Sequence, residues 1–345
     1  MKIKNFVLFL AFTSSIYCVH AQTIKRVLFV GNSYTASNDL SNLTRMVAES
    51  HGDTFESFDR SPGGFTFSNH CSAPDFFDQL RNGNFDAVVL QEQSQLPSFP
   101  LDQVESSCFP FAKQIVDSLR VYNPKMRIVF FMTWGRQNGD AQNCATWPPV
   151  CTFEGMNELL RQRYIQMAKD NSCRVAPVAS VWRDIKDSTQ ISLYEPDGSH
   201  PSGAGSLLAA GVIYTTLFDK SLSTGKHAPF VTEKENAQIV NATNSIVKDS
   251  SSLWNYEYQL HTDFIKNTPK KGTKNTPILT PFHNEIALSD GFHSAKLYNS
   301  MGVEMPKSTY TLNRKSCQVQ VEKLSVGLYF IVTDNGSTLP FWIEY

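Results

Sequence analysis

The sequence predicts an α/β domain built on a parallel sheet with helices on both faces, followed by a small C-terminal β-sandwich. Three observations predict it. Up to about residue 220, short apolar runs alternate with segments of helical period, the order that gives parallel strands joined by crossover helices. The run at 127–133 is nearly continuous in Ile, Val, Phe and Met, as a strand covered on both faces must be. Beyond residue 277 the period changes to two, with turn residues between short alternating stretches.

Residues 1–21 read as a signal peptide. Lys2 and Lys4 precede an apolar stretch from Phe6 to about Val19, and Ala21 is the small residue before the expected cleavage at Gln22. Cys18 would suit a lipoprotein anchor, but the bulky Tyr17 before it favours simple cleavage. The stretch is shorter than the ~20 residues of a bilayer span, and no later segment is long and apolar enough for one. A protein exported to the cell surface or beyond is therefore expected.

Residues 25–30 form the first expected strand. Residues 39–50 form a helix with Leu40, Leu43, Met46 and Val47 on one face. Residues 87–90 read as a short buried strand. A helix at 104–121, broken or started late by Pro110, ends at Asn123-Pro124. The strand at 127–133 is followed by a helix at 154–170, a strand at 174–178 and an Ala/Leu-rich helix at 202–218; one more helix is expected at 232–248. The first domain thus spans 22–250. The Pro, Gly, Lys and Thr content around 267–277 marks 251–276 as a linker, and 277–345 as the β-sandwich.

A chain of 345 residues with 41% hydrophobic content buries a full core. Lys and Arg total 31 against 32 for Asp and Glu, so nothing calls for nucleic acid, an anionic membrane or a polyanion as partner. Neutral or mildly charged substrates fit this balance. Of the cysteines beyond the signal peptide, Cys144 and Cys151 flank a Trp-Pro-Pro loop and are the first expected disulfide, and Cys71 with Cys108 the second. Buried thiols are the alternative, particularly for Cys173. No metal-ligand spacing occurs among the cysteines and histidines, so no metal and no cofactor are expected.

Two segments carry the chemistry. Gly31-Asn32-Ser33 stands directly after the first strand, and ligands of a parallel α/β sheet bind beyond the carboxyl ends of its strands. Far downstream stands Tyr194-Glu195-Pro196-Asp197-Gly198-Ser199-His200-Pro201. A serine hydroxyl needs a base to take its proton, an imidazole titrates near neutrality, and a carboxylate fixes the tautomer of that imidazole. Asp197 and His200, three apart on one loop, can both face Ser33.

Together these segments resemble the SGNH/GDSL hydrolase superfamily, whose nucleophile block reads Gly-Asp-Ser and whose acid and base come from an Asp-x-x-His motif. The resemblance covers roughly residues 25–220 and implies a three-layer α/β fold and ester hydrolysis, with Ser33, Asp197 and His200 as the catalytic residues. It also implies an oxyanion hole made by the Ser33 N–H, a glycine N–H and a side-chain amide. Within Ser61-Pro62-Gly63-Gly64-Phe65 the glycine is Gly64, with Gly63 as the alternative. The family's Gly-x-Asn-Asp block is absent; Gln91-Glu92-Gln93-Ser94-Gln95 stands there, which nominates Gln93 as the amide donor and Gln91 after it. Asn32 in place of Asp is a second departure.

Tyr34, Trp134 and Arg136 are the candidates for the substrate pocket, with Trp134 stacking on a sugar ring or packing in the core, and Arg136 binding a carboxylate or sulfate. The whole predicts a secreted esterase acting on short acyl esters of carbohydrate. A lysophospholipase or thioesterase on the same triad, or a carbohydrate-binding protein that has lost turnover, are the alternatives. The last seventy or so residues, with "AKLYNSMGVEM" and "VEKLSVGLYFIVTDNG", resemble the sorting domain of cargo of the Bacteroidetes type IX secretion system, without the basic residues common at its end. That resemblance implies contact with secretion machinery; an accessory carbohydrate-binding module is the alternative.

Overall fold

The computed structural model describes residues 24–257 and, beyond them, 278–279, 285–287, 294–299, 305–313, 318–321, 324, 327–333 and 338–343. The expected signal peptide, most of the expected linker and Cys317 lie outside the described residues. Two compact units divide at Tyr256 and Glu257.

In the first unit, β1 (Arg26–Val30), β2 (Glu56–Arg60), β3 (Ala87–Leu90), β4 (Arg127–Phe131) and β5 (Arg174–Ala176) form one parallel sheet in the order β2-β1-β3-β4-β5. The three central strands are buried along almost their whole length, which is why they are apolar without alternation. β2 was not expected. It reads Glu-Ser-Phe-Asp-Arg at the edge of the sheet, where exposed Glu56 and Asp59 leave no apolar run to find.

Helices cover both faces, as a three-layer α/β fold requires. On one side α2 (Leu40–Ser50) packs on α9 (Gly203–Phe218), flanked by α8 (Val178–Ser188) and α10 (Glu233–Thr243). On the other α3 (Phe67–Ser72), α4 (Phe76–Asn82) and α5 (Leu101–Ser107) pack on α6 (Phe109–Tyr122), which in turn meets α7 (Phe153–Asp170). α9 is buried on every side, so its Ala, Leu and Gly composition has no polar face. Ser202 caps it by accepting from the Gly205 N–H.

The helix expected at 104–121 is two, α5 and α6, with the chain turned at Cys108 (φ −125°, ψ −62°). Pro110 sits in the first turn of α6, where its missing N–H breaks no hydrogen bond. The strand expected at 174–178 stops at Ala176, and after Pro177 the apolar residues Val178, Val181, Trp182 and Ile185 fall on the buried face of α8 instead. The first unit also runs past the boundary expected at 250. Trp254 is buried, its carbonyl accepts from the Val175 N–H at 2.8 Å, and so residues 251–256 are held against β5.

Cys144 and Cys151 are joined as a disulfide. Cys71 and Cys108 are not joined: Cys108 is fully buried and points its thiol at Met167 Sδ, 3.6 Å away, while the Cys71 thiol faces the Phe111 carbonyl.

Among the described residues the second unit holds two small sheets. β6 (Ile278–Leu279), β8 (Ala295–Asn299), β11 (Gly327–Thr333) and β12 (Thr338–Ile343) pair in the order β6-β12-β11-β8; β7 (Glu285–Ala287), β9 (Tyr310–Asn313) and β10 (Gln318–Val321) pair in the order β7-β10-β9. All pairings are antiparallel except β6 with β12. Leu297, Tyr329 and Ile331 of one sheet bury against Tyr310, Val319 and Val321 of the other, which is the expected sandwich.

Phe130, fully buried in β4, tests how far the parallel sheet carries the first unit. Phe130→Ala is expected to lower its unfolding free energy by about 3–5 kcal/mol, read from urea denaturation; a loss below about 1 kcal/mol would mean the strand is not at the core.

Candidate active site

β1 ends at Val30 and the chain turns sharply at Gly31. A Cβ there would lie 2.3 Å from Thr35 Oγ1 and 2.5 Å from Gln91 Oε1, so only glycine lets these side chains close over the turn. Asn32 then caps the short helix α1 (Ser33–Ala36), its Oδ1 accepting from the Tyr34 N–H. Its Nδ2 donates to the Phe65 carbonyl at 2.9 Å. An aspartate could not make that second bond, which gives the Asn32 departure a physical reason: the amide ties the turn before Ser33 to the residue after Gly64.

The second segment is shaped by its own side chain. Asp197 Oδ1 accepts from the Ser199 and His200 N–H groups at 2.9 and 3.0 Å, and Gly198 takes the left-handed φ of +67° that the turn requires. The Glu195 N–H and the His200 carbonyl close the loop, and the Gln137 N–H donates to the Gly198 carbonyl at 2.8 Å. The loop therefore presents Asp197 Oδ2 to His200 Nδ1 at 2.5 Å, and His200 Nε2 to Ser33 Oγ at 2.8 Å. Ser33, His200 and Asp197 are brought together in one hydrogen-bonded line at the carboxyl end of the sheet.

The site is open: the His200 and Asp197 side chains are 38% and 49% exposed. Burial acts to raise the Asp197 pKa, but the His200 ring and the two backbone N–H groups outweigh it and hold the carboxyl below its usual range. Asp197 is thus ionised, and the Nδ1 that faces it carries the proton. Nε2 is then the nitrogen with a lone pair for the Ser33 hydroxyl.

Among the described residues the Ser33 N–H and the Gly64 N–H are taken by no other group. Gly64 has a φ of +72°, and the space where its Cβ would stand is empty to 4 Å, as it is at the neighbouring Gly63. Gln91 does not supply a third donor. Gln91 is fully buried, its Oε1 accepting from the Asn32 N–H at 3.0 Å and from Thr35 Oγ1 at 2.8 Å, its Nε2 donating to Asn32 Oδ1 at 3.0 Å and to the Glu92 carbonyl. Gln93, partly exposed, accepts from the Gln95 and Leu96 N–H groups and donates one of its two Nε2 hydrogens to Gln95 Oε1.

Trp134 and Tyr34 do not line a pocket. Trp134 is fully buried between Tyr34 and Trp182, and so cannot stack on a sugar; Tyr34 is 2% exposed and bonds Ser199 Oγ through its hydroxyl. Arg136 is partly exposed and paired at 3.0 Å with Asp140, a buried carboxylate that also accepts from Gln95 and Asn143. One residue further on, Gln137 holds the Gly198 carbonyl, so Arg136 flanks the Asp197–His200 loop. Among the described residues no cluster of His, Cys, Asp and Glu side chains stands ready to hold a metal ion.

Three residues near the site escaped the sequence. Ser199 stands between Asp197 and His200, where its residue type carries no signal of its own. Asn38 left no periodic signal. Glu92, fully buried at the end of β3, accepts from the Phe67 N–H at 3.0 Å and the Gln93 N–H at 2.6 Å; it ties the start of α3, just after the Gly64 turn, to the sheet.

No protein-family model matches the chain, and no curated protein resembles it significantly. Solved structures do. A DUF4886 family protein from Bacteroides uniformis, 16% identical, aligns over 66% of this chain and 96% of its own with a TM-score of 0.54, a likeness of fold. A protein ascribed to the SGNH hydrolases, from Slackia heliotrinireducens, is 25% identical over 56% of this chain and 99% of its own, with a TM-score of 0.46. A variant of an acetyl xylan esterase from Geobacillus stearothermophilus is 14% identical over 55% and 92%, with a TM-score of 0.40.

Burial pushes the Glu92 carboxyl up to about 8, against the backbone N–H groups that favour its charge. Unfolded, the group titrates at about 4.3. Between these values the folded state holds a proton that the unfolded state has released, so stability falls as pH rises through that window, by up to about 1.4 kcal/mol per pH unit. Urea unfolding between about pH 5 and pH 8 should show this slope in the wild type and a flatter one in Glu92→Gln; equal slopes would exclude Glu92 as its source.

Proposed function

We propose that the protein is an exported serine esterase of the SGNH type that removes short acyl groups, acetyl foremost, from carbohydrate. The observation that carries this reading is the line Ser33–His200–Asp197, with its two hydrogen bonds, at the edge of a parallel sheet. Nothing else in the packing of these loops calls for all three side chains.

Ser33 Oγ attacks the ester carbonyl while His200 Nε2 takes its proton, and Asp197 holds the resulting imidazolium. The carbonyl oxygen becomes an oxyanion and accepts from the Ser33 and Gly64 N–H groups, preformed donors that contribute about 3 kcal/mol each at such positions. The C–O bond to the alcohol breaks, and His200 returns its proton to the leaving oxygen. Water, deprotonated by His200, then attacks the acyl-enzyme and releases the acid and Ser33. No cofactor takes part in these steps.

An open site, with its base and acid partly exposed, suits a small acyl group on a hydrophilic alcohol better than a long lipid chain. Arg136 is the polar group that meets the alcohol at the rim. Residues 277–345 act as the sorting domain through which the secretion machinery handles the chain.

Acetate release from p-nitrophenyl acetate and acetylated polysaccharides, measured on residues 22–345, tests the assignment. Ser33→Ala should lose nearly all activity with an almost unchanged melting temperature. Asp197→Asn should lower kcat by at least about a hundredfold through the wrong His200 tautomer. Full activity in either variant would refute the triad.

Arg136→Ala should raise KM for acetylated polysaccharide by about tenfold, a loss of roughly 1.4 kcal/mol of ground-state binding, and leave p-nitrophenyl acetate largely unaffected. Equal KM values for the polysaccharide in wild type and variant would remove Arg136 from the pocket.

A further inference from the structure

We infer that the hydrogen bond between Tyr34 and Ser199 is a positioning device that sets the separation of Ser33 and His200, a role that rests on the serine-esterase reading above. Tyr34 follows the nucleophile and Ser199 precedes the base. Their hydroxyls meet at 2.6 Å, and one residue away on each strand of chain Ser33 Oγ meets His200 Nε2 at 2.8 Å. Two rungs therefore join segments far apart in sequence.

The first rung is anchored in the core, and the Tyr34 ring that carries it also meets the His200 ring of the second edge-on, with centroids 5.3 Å apart. Tyr34 stacks on Trp134 with ring centroids 5.0 Å apart and an angle of 12°, and Trp134 stacks on Trp182 at 3.8 Å and 5°. Tyr194 closes the pile edge-on against Trp182. Trp134 also donates its Nε1–H to the Ser199 carbonyl at 3.2 Å, so one aromatic stack holds Ser199 at both its hydroxyl and its carbonyl. By contrast, the Asp197 and His200 side chains stand half in solvent.

The bonds within the loop, from Asp197 to the Ser199 and His200 N–H groups, set its shape but not its distance from Ser33. That distance is set by bonds that cross between segments. On the far side of His200, Asn38 Nδ2 donates to the Pro201 carbonyl at 3.2 Å and to Ser206 Oγ at 3.0 Å. His200 is thus held on both flanks from the segment that carries the nucleophile, and Tyr34–Ser199 is the contact adjacent to both reacting groups. A misplacement of about 1 Å at such a pair is enough to lower the rate by orders of magnitude.

The test compares Tyr34→Phe, Ser199→Ala, the double variant and Ser199→Thr, which keeps the hydroxyl. With p-nitrophenyl acetate, each of the first two should lower kcat about tenfold and leave KM within about twofold, the loss expected for one buried hydrogen bond. The double variant should fall no further than the poorer single, because both remove the same contact, and Ser199→Thr should retain most of the activity. Unchanged kcat in the singles, multiplied losses in the double, or Ser199→Thr as poor as Ser199→Ala would overturn the role.

Crystal structures of the wild type and Tyr34→Phe read the same device without turnover. The expected result is a Ser33–His200 contact that is lost or a His200 ring in more than one rotamer; a single unchanged ring overturns the proposal. If the wild type hydrolyses no ester while the ring is released in Tyr34→Phe, the esterase reading fails and the positioning contact stands.

Discussion

The buried side chain of Gln91 is the contact on which the candidate site depends. It stands at the end of β3, beside the end of β1, and its amide accepts from the Asn32 N–H and Thr35 hydroxyl while donating to Asn32 Oδ1. Two adjacent strands are thereby joined at the point where the chain leaves the sheet. A buried amide left without these partners would cost about 1–3 kcal/mol for each unsatisfied group, so the turn has one stable form. Gly31 has no Cβ because the Gln91 and Thr35 side chains occupy that space.

From this grip the rest follows in order. Asn32, held by Gln91, reaches with its Nδ2 to Phe65 and so draws the Gly64 turn alongside Ser33. Glu92, the next residue after Gln91, holds the start of α3 through the Phe67 N–H and secures the same turn from behind. Two neighbouring residues at the end of one strand thus position both backbone donors of the proposed oxyanion site. The Asp197–His200 loop arrives from the other side, shaped by Asp197 and pinned by Tyr34, Trp134 and Asn38. The geometry of the candidate site comes from buried polar bonds and a stack of aromatic rings, and its His200 and Asp197 side chains are left partly open to solvent.

Much of the fold was legible because its physical cause is local. The continuous apolar runs of β1, β3 and β4 follow from burial on both faces, and the period of two after residue 277 follows from a sandwich with one buried face per sheet. β2 was not legible, since an edge strand needs no apolar run, and α8 was hidden by the short strand before it. At the site, Ser33, Asp197 and His200 were legible through their residue types and spacing. From sequence Trp134 fits either a sugar-stacking position or the core, and Tyr34 fits the pocket; both belong to the core, because an aromatic residue near a strand end is compatible with either. Gln91, a candidate donor to substrate by its residue type, is bound to the protein itself.

By itself, then, the sequence determined the layered α/β architecture, the sandwich that follows it, and the chemical types that meet at the carboxyl end of the sheet. Periodicity and the chemistry of serine, histidine and aspartate are properties of residues close together in the chain. Only the tertiary structure decided which side chains face substrate and which brace the site. Gln91, Tyr34 and Ser199 have roles set by groups distant in sequence, and the orientation of a side chain is decided by what packs against it.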